Sequence, residues 1–249
     1  MLISHIHRFI FIKTVKTAGT SVEGFLEPLC TPPGHVVQHH TPTLISSAGV
    51  VGRRGPKRSE PDYGYFNHMS AVELRERFTA FELYRRFTVV RDPYDRAVSF
   101  FHFRALQTQG GEGLSLEATL ALLARGDSQQ LQRQFAAFVQ HQGVPQEQHR
   151  LCIDGQLAVQ RWLRYESLSS DLAALARDWQ LPLPTDSATV ANDLPHFKVI
   201  RHRAEQISPP LENYLSAEVV ATINIRCCFS FDHLGYRRLE PEAFPTLKN

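Results

Sequence analysis

The sequence predicts an α/β fold with a central parallel sheet flanked by helices. Three observations predict it. Residues 8–15 form a Phe/Ile-rich run, and a helix-like pattern follows within a few residues. Residues 86–90 repeat the arrangement, with Pro93 suited to the first turn of the next helix. Residues 159–165 give a third candidate strand ahead of an amphipathic stretch, 168–179. Strands followed closely by helices make right-handed βα units, hence parallel pairing, and ligands of such sheets bind at the carboxyl ends of the strands.

The remaining elements follow in order. Thr20 is placed to cap a helix starting near Ser21, with Glu23 in its first turn and Pro28 near its stop. Between 28 and 64, Gly and Pro take 11 of 37 positions, against 29 of 249 in the whole chain. A structureless insertion is expected there, either a solvated loop or a lid over an acceptor. Residues 70–78 read as a helix with Ser70 and Glu73 forming a capping box. The helix opened by Pro93 runs to about Gln107, and 115–140 reads as one or two helices broken near 125–127. A last helix spans 216–226. At 249 residues one domain, 1–249, is expected, carrying the insertion at about 28–64.

Composition narrows the function. With 27 Lys+Arg against 25 Asp+Glu the net charge is +2, too small an excess for a nucleic-acid-coating protein, though it leaves room for one anion site. No run of 18 apolar residues exists, so no transmembrane helix is expected. The apolar N-terminal run lacks a basic lead and a cleavage site and reads as a buried strand. Cys30, Cys152, Cys227 and Cys228 show no CxxC spacing and read as reduced thiols, which fits a cytoplasmic location. Cys227, Cys228 and His233 lack a second ligand pair, so no metal is expected.

Two turns carry the chemistry. Lys16-Thr17-Ala18-Gly19-Thr20-Ser21 lies between a strand and a helix. Small residues let backbone amides wrap an anion at a helix start, Thr17, Thr20 and Ser21 add hydroxyl donors, and Lys16 adds a point charge. The spacing is not that of a Walker A loop, because Lys16 precedes Gly19. The second turn begins at Arg91, where a guanidinium can grip a phosphate with two parallel bonds, and Ser99 lies two turns into the helix beyond it. The alternatives are an ordinary βα turn with a solvated lysine, and an Arg91 paired with Asp92 or Asp95.

Together the two segments resemble the sulfotransferases that use 3′-phosphoadenosine 5′-phosphosulfate (PAPS). FIKTVKTAGTS resembles the family's 5′-phosphosulfate loop, and RDPYDRAVSFF its 3′-phosphate motif. WLRYESL with DLAAL, and FDHLGY near the end, resemble later family segments more loosely. Lys13 and Val15 stand where His and Pro are often found, a departure read as the mark of a bacterial subgroup. The resemblance implies a three-layer P-loop-like fold and sulfuryl transfer from PAPS to a hydroxyl or amine, with no metal. It implies that Lys16 contacts the leaving-group oxygen and that Thr17, Ala18, Gly19, Thr20 and Ser21 hold the 5′-phosphosulfate. Arg91 and Ser99 then hold the 3′-phosphate, and Lys198 and Arg201 close over the nucleotide. His68 resembles the general base of carbohydrate sulfotransferases, and its ordinary pKa would give turnover an acid limb near pH 6–7. His35, His39, His40 and Glu23 are rival bases. The competing functions are a kinase-like phosphotransferase, which lacks its GxxxxGK[ST] loop, and a non-catalytic nucleotide or polysaccharide binder.

Overall fold

The computed structural model describes residues 1–55, 64–107, 114–195 and 209–247. In chain order its strands and α-helices are β1 (Leu2–Ser4), β2 (Phe9–Ile12), α1 (Gly19–Leu26), β3 (Leu44–Ile45), β4 (Gly49–Val51), α2 (Ala71–Arg77), β5 (Arg85–Val90) and α3 (Pro93–Gln107). They continue with α4 (Leu116–Ala124), α5 (Ser128–His141), α6 (Gln148–Leu151), β6 (Cys152–Ile153), β7 (Gln156–Leu157), β8 (Arg161–Arg164) and α7 (Leu168–Trp179). The last three are α8 (Ser187–Asp193), α9 (Ala217–Arg226) and α10 (Cys228–His233). The chain divides into two compact units. One holds Met1–Val90 and the described residues from Gln148 to 195; the other holds Arg91–Glu147 and those from 209 onward.

The first unit is the α/β part. Its six-stranded sheet has the order β3-β4-β1-β2-β5-β8. β2, β5 and β8 are parallel, as the βα reading requires, with Phe11 beside Phe87 and Phe87 beside Arg161. β1, β4 and β3 extend the sheet by antiparallel pairing, so it is mixed rather than wholly parallel. The reason lies at the N-terminus. The apolar run is two strands folded back on each other, and Arg8 takes a left-handed conformation (φ 50°) in the turn between them. One face of the sheet places Leu2, Phe9, Phe11, Phe87, Val89 and Leu163 against Val22 and Leu26 of α1 and Leu172 and Leu175 of α7. Phe11 and Phe87 meet at 5.1 Å, and Phe87 meets Trp179 edge-on at 5.5 Å. Ile10 and Ile12, on the opposite face, are equally buried. The all-apolar reading of β2 thus reflects a strand covered on both sides.

The insertion is not structureless. Its residues Leu44–Ile45 and Gly49–Val51 are strands of the main sheet. A Cβ on Gly49 would lie 2.1 Å from the Ile3 carbonyl oxygen, so this glycine is what lets β4 approach β1. The insertion is also pinned by a buried carboxylate. Glu27 takes a hydrogen bond from His35 Nε2 (2.8 Å) and pairs with Arg54 Nη2 (2.5 Å), and Glu27 and Arg54 are both buried. Removing one member of a buried pair strands the other's charge. Glu27→Ala should therefore cost about 3–5 kcal/mol in denaturant unfolding, far beyond a surface substitution. A loss under 1 kcal/mol would mean that the pair does not anchor the segment.

The second unit is helical. Phe101 of α3 packs on Phe135 and Phe138 of α5 at 5.3 and 5.1 Å, and Tyr214 joins Phe135 at 5.7 Å. Arg96, buried on α3, pairs with Glu147 and donates to the Pro145 carbonyl at 2.5 Å. Among the described residues no helix is long and apolar enough to cross a membrane, and no cluster of His, Cys, Asp and Glu could hold a metal ion.

Candidate active site

β2 and β5 are parallel neighbours, so both end at the same edge of the sheet. The turn leaving β2 is tied to that edge. Thr14 Oγ1 donates to the Val89 carbonyl at the end of β5 (2.5 Å). Thr14 has one proton, so the 2.8 Å contact between its hydroxyl and Thr17 Oγ1 must have Thr17 as donor. Thr17 is fully buried. Its hydroxyl is committed inside the protein and is not available to an anion. That corrects the expectation of three hydroxyl donors: two remain, Thr20 and Ser21.

The backbone of the turn is strained in an informative way. Lys16 (φ 63°) and Ala18 (φ 58°) are both left-handed without being glycine. Alternation of left- and right-handed residues curls successive amides toward one point, the geometry of an anion-binding nest. Ala18 is the N-cap of α1 and supplies no side-chain cap, so the helix start presents amides rather than masking them. Thr20 is therefore inside the helix and not its cap.

Glu23 also departs from the sequence reading. It lies beyond the first turn, fully buried, and pairs with the Met1 ammonium and with Lys13 Nζ (2.6 Å). Burial pushes its carboxyl up, but the two cations outweigh it and hold the group down at about 2. Fully buried, with one oxygen on the Met1 ammonium and the other on Lys13, Glu23 is a structural counter-ion rather than a base. Lys13 is itself only 2% exposed and also donates to Thr20 Oγ1 at 3.0 Å. Its stem crosses Gly19, where an added Cβ would lie 2.6 Å from Lys13 Cγ.

His68 lies in this same unit, at the end of the insertion, with a left-handed backbone (φ 61°). Buried Met69 follows, then the expected capping box: Ser70 Oγ accepts from the Glu73 amide, and Glu73 accepts from the Ser70 amide at 2.7 Å. The Arg150 guanidinium bonds the His68 carbonyl, and His68 Nδ1 lies 3.3 Å from the Lys13 carbonyl oxygen. A carbonyl only accepts, so Nδ1 carries the proton and Nε2 keeps its lone pair. Burial first, then the charges of Lys13, the chain-start amine and Arg150, push its pKa down to about 3.

In the second unit Arg91 is 4% exposed, and its Nε and Nη2 both reach Asp95 Oδ2 at 2.6 Å. The pairing alternative is thus realised with Asp95. Asp92 instead caps α3, accepting from the amides of Tyr94 and Asp95. Ser99 lies on α3, half-buried.

A sequence model of the sulfotransferase family matches residues 1–183. The chain belongs to the sulfotransferase family. The matched stretch takes in both turns and His68. Neither a curated protein nor a solved structure matches the chain. Of the residues expected in this sulfotransferase's site, Lys16, Thr17, Ala18, Gly19, Thr20, Ser21 and His68 fall in one unit, whereas Arg91 and Ser99 fall in the other. Lys198 and Arg201 lie outside the described residues. Among the rival bases, His35 is engaged by Glu27, and the His39 and His40 rings meet at 4.3 Å, tilted by 34°. Sequence reasoning missed Lys13 and Arg150. Lys13 was visible only as a departure from a motif, and nothing near Arg150 in sequence points to His68.

Proposed function

We propose that this transferase moves a sulfuryl group from PAPS to a hydroxyl or amine of an acceptor, a carbohydrate or a small metabolite. The observation that carries the reading is the Lys16–Ser21 turn, with left-handed Lys16 and Ala18 at a helix start that no side chain caps. A doubly charged 5′-phosphosulfate fits that helix start. PAPS supplies an activated sulfuryl group on a phosphate leaving group. In the transfer the acceptor oxygen or nitrogen bonds to sulfur as the bond from sulfur to the bridging phosphate oxygen breaks. Lys16 neutralises the charge gathering on that bridging oxygen. The amides of Thr17, Ala18 and Gly19 and the hydroxyls of Thr20 and Ser21 hold the group in line. His68 Nε2 takes the acceptor's proton. Arg91 and Ser99 bind the 3′-phosphate, and Lys198 and Arg201 are assigned to the nucleotide on the family resemblance alone.

Calorimetric titration with the desulfated nucleotide, followed by a radiolabelled sulfate-transfer assay across acceptor classes, tests this. Binding with transfer supports it. Binding without transfer to any class indicates a nucleotide binder, and absence of binding overturns the donor assignment. Arg91→Ala should weaken binding of the desulfated nucleotide by about 2–3 kcal/mol, the scale of a charge-assisted pair. Affinity for an analogue lacking the 3′-phosphate should hardly change. Equal losses for the two ligands would mean that Arg91 does not read that phosphate.

A further inference from the structure

Lys13 has no role in the transfer as proposed, yet it touches several parts of the candidate machinery. Its ammonium lies 2.6 Å from Glu23 Oε2 and 3.0 Å from Thr20 Oγ1, its stem covers Gly19, and its carbonyl faces His68 Nδ1 at 3.3 Å. We infer that Lys13 is a positioning residue that sets two protons at once: its ammonium turns the Thr20 hydroxyl outward as a donor, and its carbonyl fixes His68 in the tautomer with Nε2 unprotonated.

An ammonium has three donors and no acceptor, so Thr20 Oγ1 must accept from Lys13. The hydroxyl proton of Thr20 is then directed away from Lys13. Glu23 keeps the ammonium in place, since a buried carboxylate 2.6 Å away gives it one preferred position. A donor aimed in advance costs no reorientation when an anion arrives. At His68 the same residue acts through its backbone, because the carbonyl can only accept and so holds the proton on Nδ1. The positive charge nearby also disfavours an imidazolium. The charged groups acting on His68 are Lys13 after β2, the Met1 amine, Arg150 of α6 and, with opposite sign, Glu23 of α1. The proposal takes the donor reading as given for Thr20, whereas the His68 half stands without it.

Two measurements test it. The first uses the intact chain. Nitrogen-15 spectra of histidine-labelled protein, with the His68 signals assigned by their loss in His68→Asn, should show Nδ1 protonated and Nε2 bare, with no titration between pH 5 and 8. The opposite tautomer, or titration in that range, would overturn the His68 half even if the desulfated nucleotide binds as expected. The second removes the charges of Lys13 and Glu23 together, Lys13→Met with Glu23→Gln, which leaves the Met1 ammonium without its carboxylate, and checks folding by a thermal melt. The folded double variant should bind the desulfated nucleotide about tenfold more weakly, the loss of one aimed hydrogen bond to a charged group. Unchanged affinity would sink the Thr20 half of the inference. Should the double variant not fold, Thr20→Val tests the same hydroxyl with Lys13 and Glu23 in place, and unchanged affinity there has the same meaning. Failure of the wild-type chain to bind the nucleotide at all counts against the donor reading, not against the tautomer.

Discussion

Lys16→Ala should lower turnover by about 10²–10³, the scale of losing one preorganised electrostatic donor. Affinity for the desulfated nucleotide should fall far less. The asymmetry follows from where charge develops. In the ground state the bridging oxygen carries little of the phosphate's charge, and it gains charge only as the bond to sulfur breaks. A cation at that oxygen therefore acts chiefly on the transition state. Alanine suits the test, because it keeps a Cβ. The left-handed strain at position 16 (φ 63°) persists in the variant, so the rate change reports the ammonium rather than a relaxed backbone. Single-turnover rates at saturating donor, compared with titration of the desulfated nucleotide, separate the two effects. Near-wild-type turnover would remove Lys16 from the leaving group.

The contrast between Lys16 and Lys13 shows how far the sequence could be read. Elements with a strong period were legible: α3 and α7 fall at Pro93–Gln107 and Leu168–Trp179, where the pattern places them. The capping box at Ser70 was legible because its two hydrogen bonds need only residues three apart. Strands of two or three residues were not, since β1, β3 and β4 are too short for a period and are fixed by long-range pairing. One miss had a signal. Asp154 and Gly155, both at positive φ, make the two-residue turn between β6 and β7, and an Asp-Gly pair between apolar residues is a hairpin mark. In the site, the turn could be found as a motif. The direction of its protons could not, because the Val89 carbonyl that takes the Thr14 proton is 75 residues away in sequence. Glu23 shows the same limit. Its place near a helix start suggested a dipole role, while its partners, Met1 and Lys13, come from outside the helix.

His68→Ala should cost about 10²–10⁴ in turnover, the range for a general base, with affinity for the desulfated nucleotide retained. Its pH behaviour departs from what an ordinary histidine would give. A histidine at its usual pKa would impose an acid limb near pH 6–7, but burial and the neighbouring cations push this one down to about 3. His68 is therefore neutral, with Nε2 available, throughout the range in which the protein would be assayed. Wild-type turnover should run level from pH 8 down to about 5, with no limb from His68 in between. Stability carries the same group with a definite sign. Below about pH 6.5 the unfolded chain protonates this histidine, while the native state resists until about pH 3, so the unfolded state binds the extra proton. The native state accordingly loses stability as pH falls through that window, and His68 contributes no slope above it. Urea unfolding at pH 7 and pH 5 checks this: the wild type should lose more stability on acidification than His68→Ala does. Equal losses in the two proteins, together with a wild-type turnover limb at pH 6–7, would mean that His68 titrates as an exposed imidazole and that the buried, tautomer-fixed base is wrong.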